Sequence, residues 1–209
     1  MPNLIIIGAR GFGREIFNLA KDCISAGTEL SIKGYLDDKS DALDGYPNYP
    51  PILSSVENYE VQPEDVFVCA LGDVHYKRQY AETILKKGGQ FISLIHPSIC
   101  QWQNTSWGEG CIALRNVVVS CDVKIGNFVT LMDHCIIGHD ARIGDWSSVG
   151  ASSMMAGFSS IGSMVTLHPH VEILPHKSVA DNATVGAGSV VLRNVKEGIT
   201  VFGVPATKL

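Results

Sequence analysis

Two stretches of this chain hold residue types that could do chemistry. The first is His139-Asp140. An unperturbed imidazole titrates near pH ~6.5, so a positioned histidine can take a proton from an ammonium or hydroxyl group, while a neighbouring carboxylate orients the ring or stabilises its charged form. By residue type alone the pair reads as a corner histidine beside a solvated aspartate, and only its context can give it more meaning. The second stretch is Gly8-Ala9-Arg10-Gly11-Phe12-Gly13, which follows an apolar run and opens a helical pattern. In that setting backbone N–H groups and the helix dipole hold a phosphate. The spacing is G-x-x-G-x-G and not the dinucleotide fingerprint G-x-G-x-x-G, which argues against NAD. Asp37 and Asp38 follow the second apolar run, where acidic side chains meet a ribose or a base. Gly72-Asp73 would edge the same pocket.

The elements that must position these residues change character near residue 97. Before it, apolar runs at Leu4–Ile7, Ile32–Leu36, Val66–Leu71 and Phe91–Ile95 alternate with helical patterns at Arg14–Ser25 and Tyr76–Lys87. Continuous apolar strands separated by amphipathic helices imply a parallel sheet covered on both faces, so residues 1–96 are expected to form a Rossmann-like domain. His75 falls at a helix start. From His96-Pro97 onward a period of six replaces the helical one. Every sixth residue from Val119 through Ile125, Leu131, Ile137, Ile143, Val149, Met155, Ile161, Leu167, Ile173, Val179 and Val185 to Val191 is aliphatic or Met. Such a run, in a chain 45% hydrophobic, is a true repeat. Each hexapeptide supplies one short strand and one corner, with the aliphatic side chain on the axis. Positions two before it, from Val117 and Val123 to Ser159 and Val165, are of a size for the same narrow interior.

Composition narrows the function classes. A net charge of -5 lacks the basic face of a nucleic-acid binder. Cysteines at 23, 69, 100, 111, 121 and 135 form no C-x-x-C pair, and read as small buried hydrophobes in a reducing compartment. Leu4–Ile7 is far too short for a signal segment or a membrane span, so the expected location is cytoplasmic, with no membrane partner.

The period of six resembles the hexapeptide repeat of left-handed parallel β-helices, over about half the chain. The resemblance implies a fold of class α/β plus β, with domain boundaries at 1–96 and 97–209, four to five coils from Ala113 to Val191, and a homotrimer. Together with the Rossmann-like half, the segment Ile136–Gly144 and the tail Phe202-Gly203-Val204-Pro205-Ala206, the whole chain resembles the sialic-acid O-acetyltransferase and nucleotide-amino-sugar N-acetyltransferase family.

That resemblance implies a general base at His139, oriented by Asp140, and acetyl-CoA as donor. Met155-Ala156-Gly157 matches the family's Ala-Gly, whose glycine amide faces the thioester oxyanion. Gly157 stands eighteen residues beyond His139, one coil on. Gly186-Ala187-Gly188 resembles the small-residue stretch where the pantetheine arm passes, and also suits a plain prism corner. Gly8, Arg10, Gly11, Phe12, Gly13, Asp37, Asp38 and Gly72 would hold the nucleotide of a sugar nucleotide. The chain departs from the amino-sugar enzymes at Phe12, where His is common, and at Met132, where Asn is common. Both approach the sugar, so acceptor identity, nucleotide linkage and N- or O-acetylation stay open.

Two other readings compete. His134 and His139 have a spacing that resembles two zinc ligands of the γ-class carbonic anhydrases, with His96, His168, His170 and His176 available for a third. Those enzymes lack a Rossmann-like half, and no metal is expected here. The other is a non-catalytic trimeric scaffold, against which His139-Asp140 stands.

Overall fold

The computed structural model describes residues 1–209, which divide into Met1–Pro97 and Ser98–Leu209. In the first unit the apolar runs become the centre of a parallel sheet. β1 (Asn3–Ile7) lies between β2 (Ser31–Leu36) and β4 (Asp65–Cys69); β3 (Ile52–Ser54) and β5 (Gln90–Phe91) form the edges, in the order β3-β2-β1-β4-β5. Leu4 to Ile7 are at most 1% exposed, as a strand covered on both faces requires. α1 (Gly11–Ser25) joins β1 to β2 and buries Ile16, Leu19, Ala20 and Cys23, one stripe at helical spacing. α2 (Val74–Lys86) joins β4 to β5 and starts at Asp73, whose carboxylate accepts from the His75 and Tyr76 amides at 2.8 and 3.0 Å.

Three details differ from the sequence expectation. α1 begins at Gly11 and not at Arg14, so the second half of the glycine stretch is the first helical turn. Phe91–Ile95 is two short strands, Gln90–Phe91 and Leu94–Ile95. β3 went unread because its short run adjoins Pro50-Pro51.

The second unit is a parallel β-helix. Two-residue strands recur every six residues, and each pairs in register with the strand eighteen residues on, as Val118–Val119 does with Ile136–Ile137 and Ile136–Ile137 with Met154–Met155. All thirteen residues of the six-residue period are the inward member of a strand, each no more than 4% exposed. Val117, Val123, Val129, Cys135, Ala141, Ser147, Ser153, Ser159 and Val165 are buried beside them. The coils begin earlier than Ala113. Strands at Cys100–Gln101 and Ser106–Trp107 already belong to them, but Gln101, exposed, and Trp107, half-buried, stand in register with Val119 and Ile125 where the sequence lacks an aliphatic side chain. From Cys100 to Val191 the strands make five coils and one strand over, more than the four to five read from sequence.

Each corner turns through one residue with φ near +60°. His134 (60°), Asp140 (59°), Phe158 (57°) and His176 (59°) are examples. A left-handed backbone costs an L residue ~1–2 kcal/mol, least for Asn and Asp, and the ladder of parallel pairs above and below must offset it.

Candidate active site

His139 and Asp140 occupy one corner of the β-helix, immediately after the strand Ile136–Ile137. Asp140 Oδ2 lies 2.9 Å from His139 Nδ1. A carboxylate can only accept, so Nδ1 carries the proton, and in the neutral ring Nε2 keeps its lone pair. The side chains are 53% and 41% exposed, open to a reactant. One coil on, Gly157 lies against the ring: a Cβ there would come 2.5 Å from His139 Nε2 and 2.6 Å from Cε1. Phe158 closes another side, its ring perpendicular to the imidazole with centroids 5.1 Å apart, and His176 stacks on Phe158 at 5.0 Å.

The backbone of this corner has a free donor. On the edge that carries Glu109, Asn127 and Ser163, the amides just before the left-handed residue are taken by Asn127, Asp145 and Asp181 side chains one coil on. On the His139 edge the corresponding positions one coil on are Gly157 and Pro175, which have no such side chain. The Gly157 N–H therefore meets no acceptor in the chain, while its carbonyl accepts from His176 at 3.3 Å. An imidazole lone pair and an unpaired amide at one corner can together deprotonate a nucleophile and hold an oxyanion.

In the first unit a cavity of about 460 Å³ is lined by Gly8, Arg10, Asp37, Asp38, Gly72 and Asp73, with Tyr76 and Tyr80. Gly8, at φ +97°, presses on β4's end, where a Cβ would meet the Ala70 carbonyl at 2.9 Å. Asp37 is occupied: Oδ2 accepts from the Ala9 amide at 2.8 Å and Oδ1 from the Lys39 amide at 2.9 Å, so it staples the glycine stretch to β2. Asp38 accepts from the Tyr80 hydroxyl, and that bond to a carboxylate, with burial, pushes the phenol up to about 12. Gly11, Phe12 and Gly13 do not line the cavity. They form the first turn of α1, which has no side-chain cap and no acidic residue, so its amide ends are open to an anion. Gly13 is dictated by packing, since a Cβ would sit 1.9 Å from the Gly8 carbonyl oxygen.

The sequence profile of the PglD N-terminal domain matches residues 3–84, and that of the bacterial transferase hexapeptide (six repeats) matches residues 116–151. GDP-perosamine N-acetyltransferase of Escherichia coli O157:H7 is 26% identical over 95% of this chain and 81% of its own length. UDP-N-acetylbacillosamine N-acetyltransferase of Bacillus subtilis (strain 168) is 28% identical over 54% of this chain and 52% of its own. Among solved structures, PerB from Caulobacter crescentus, in complex with CoA and GDP-perosamine, superposes with a TM-score of 0.89 at 23% identity, covering 100% of this chain and 98% of that one. The acetyltransferase domain of PglB from Neisseria gonorrhoeae FA1090, in complex with acetyl coenzyme A, gives 0.88 at 24%, covering 99% and 98%. Along nearly its whole length the chain is thus similar to an N-acetyltransferase of a nucleotide-linked amino sugar, and the two profiles support that family.

The residues singled out by sequence fall into three places. His139, Asp140 and Gly157 share one β-helix edge. Met132, Ala187 and Gly188 stand on another edge of the same unit, with Ala187 and Gly188 exposed. Gly186 is covered there, since a Cβ would come 2.3 Å from the Phe202 ring. His134 is on that second edge too, so in one chain it does not meet His139, and no group of three His, Cys, Asp or Glu side chains is gathered as for a metal. Of the cysteines, four are buried, whereas Cys100 is exposed and Cys121 half-buried; none is disulfide-bonded. Phe158, Tyr76 and Tyr80 were missed by sequence reasoning. Phe158 could have been found by adding eighteen to Asp140, but the tyrosines are ordinary helix residues until α2 is docked.

Proposed function

We propose that this acetyltransferase moves the acetyl group of acetyl-CoA directly to the amine of a nucleotide-linked amino sugar. The observation that carries the chemistry is the His139 corner, where Nε2 has its lone pair and the Gly157 amide has no partner. The amine attacks the thioester carbonyl carbon while His139 Nε2 takes its proton; the Gly157 N–H faces the resulting oxyanion. Collapse breaks the carbon–sulfur bond, and the imidazolium returns the proton to the departing thiolate. Asp140 keeps the ring in the required tautomer throughout. N-acetylation is favoured over O-acetylation by the two named relatives.

The strand order β3-β2-β1-β4-β5 reverses between β1 and β4, and the cavity lies at the carboxyl ends of these strands. That is where Rossmann-like sheets take nucleotides, and we assign the nucleotide there, its phosphate on the open amides of α1 and its base or ribose toward Asp38. We read residues 1–96 as the nucleotide-sugar domain and 97–209 as a left-handed β-helix catalytic domain. A homotrimer accounts for the second edge: Ala187 and Gly188 of one protomer would line the acetyl-CoA groove against the His139 edge of the next. Thiols without disulfides fit the cytoplasm. No helix is long and apolar enough to cross a membrane.

The deciding experiment incubates the purified chain with acetyl-CoA and a GDP- or UDP-linked 4-amino sugar, following thiol release and the acetylated product by mass. Thiol release with no acetylated sugar nucleotide from any such acceptor would sink the reading.

A further inference from the structure

Lys124 and Arg142 are neighbours in register on adjacent parallel strands of one β-helix face. Both are exposed and neither makes an ion pair. Like charges side by side on neighbouring strands repel, and no direct ion pair relieves them here. Two carboxylates line the same cavity as this pair, Asp140, which holds His139, and Asp122, which accepts from the Asn104 amide at 2.9 Å; neither pairs with Lys124 or Arg142. That cavity, of about 400 Å³, also reaches Phe158 and Ser160, and so adjoins the His139 corner. A second, of about 550 Å³, shares Lys124, Arg142 and Ser160 with it and runs on along the face past Ser178. Arg142 is three residues from His139, within roughly 11 Å along the chain.

We infer that Lys124 and Arg142 form a binding site for a diphosphate beside the acetyl-transfer corner. A guanidinium grips one phosphoryl group through paired N–H donors, an ammonium serves its neighbour as a point charge, and the Ser160 hydroxyl adds a donor. The inference rests on the reading of the His139 corner as the place of acetyl transfer, because both substrates of that reaction, CoA and the sugar nucleotide, carry a diphosphate.

Titration calorimetry of the full-length protein with inorganic pyrophosphate, CoA and GDP, each alone, tests it. The double variant Lys124→Gln/Arg142→Gln should weaken pyrophosphate about tenfold or more. It should weaken CoA or GDP by a similar factor, and whichever responds names the source of the diphosphate. Lys124→Arg/Arg142→Lys should recover most of the affinity. Unchanged binding of all three ligands overturns the inference, as does loss of binding that accompanies loss of assembly, since the cations would then hold a neighbouring copy. Because binding and not turnover is measured, failure of the general-base reading would leave this result standing.

Discussion

Gly157 lies so close to the imidazole of His139 that any side chain there would strike it, with a Cβ only 2.5 Å from Nε2. Gly157→Ala should displace the ring from Asp140 and lower turnover by roughly two orders of magnitude, the scale of a positioned base. In the His139→Ala background the same change should cost nothing further. Additive losses in this double-mutant cycle would show that Gly157 acts independently of the ring.

His139→Ala should keep CoA affinity and lower turnover by roughly two to four orders of magnitude. With an amine acceptor the deficit should shrink at high pH, where free amine forms unaided. A wild-type rate in this variant would remove His139 from the mechanism.

Asp140 has two parts to play, holding Nδ1 and turning the corner at φ 59°. Asp140→Asn should fold as before, because Asn accepts the left-handed backbone, yet lose roughly tenfold to a hundredfold in turnover. Asp140→Val should in addition lower the melting temperature, since a β-branched residue resists that conformation. Equal stability of the two variants would mean that the corner is not strained.

Two glycines of the first unit should separate folding from binding. Gly13→Ala puts a Cβ 1.9 Å from the Gly8 carbonyl oxygen and should destabilise the unit. Gly11 meets nothing within 4 Å, so Gly11→Val should melt normally while weakening the sugar nucleotide and sparing CoA. Equal loss of both ligands would make the glycine stretch structural.

A buried network predicts the acid limit of the first unit. Asp65, with its side chain fully buried, accepts from Lys33 at 2.7 Å, the Tyr59 hydroxyl at 2.7 Å and the Gln62 amide at 2.9 Å. Burial pushes its carboxyl up, but these three donors outweigh it and hold the group below its ordinary 3.8. A depressed carboxylate stabilises the fold above its unfolded value, and that contribution is lost as pH falls below about 3.8 through the folded value. For Lys33 burial pulls downward and the bonds to Asp65 and Tyr59 overcome it, so its share persists below 10.5 and fades as pH rises past the raised value. Asp65→Asn should cost about 3 kcal/mol at neutral pH and flatten the acid limb in thermal melts. An unchanged acid limb would place the cause elsewhere.

The six-residue period fixed the interior of the β-helix without help, because an axis that admits only aliphatic or small side chains writes its geometry into every sixth residue. Val119 through Val191 could be read inward one by one, and the arithmetic of eighteen put Gly157 over His139 before any coordinates. Gln101 and Trp107 concealed the first coil, since without an aliphatic knob the period has no mark. What the tertiary structure alone decided was which atoms are spent and which are free. Asp37 and Asp38 look alike in sequence, yet one staples the Ala9 amide and the other meets Tyr80. The open Gly157 amide exists because the edge above it lacks the Asn and Asp side chains that close another edge. Residue types set what a group can do, but hydrogen-bond partners drawn from distant coils and helices determine whether it remains available.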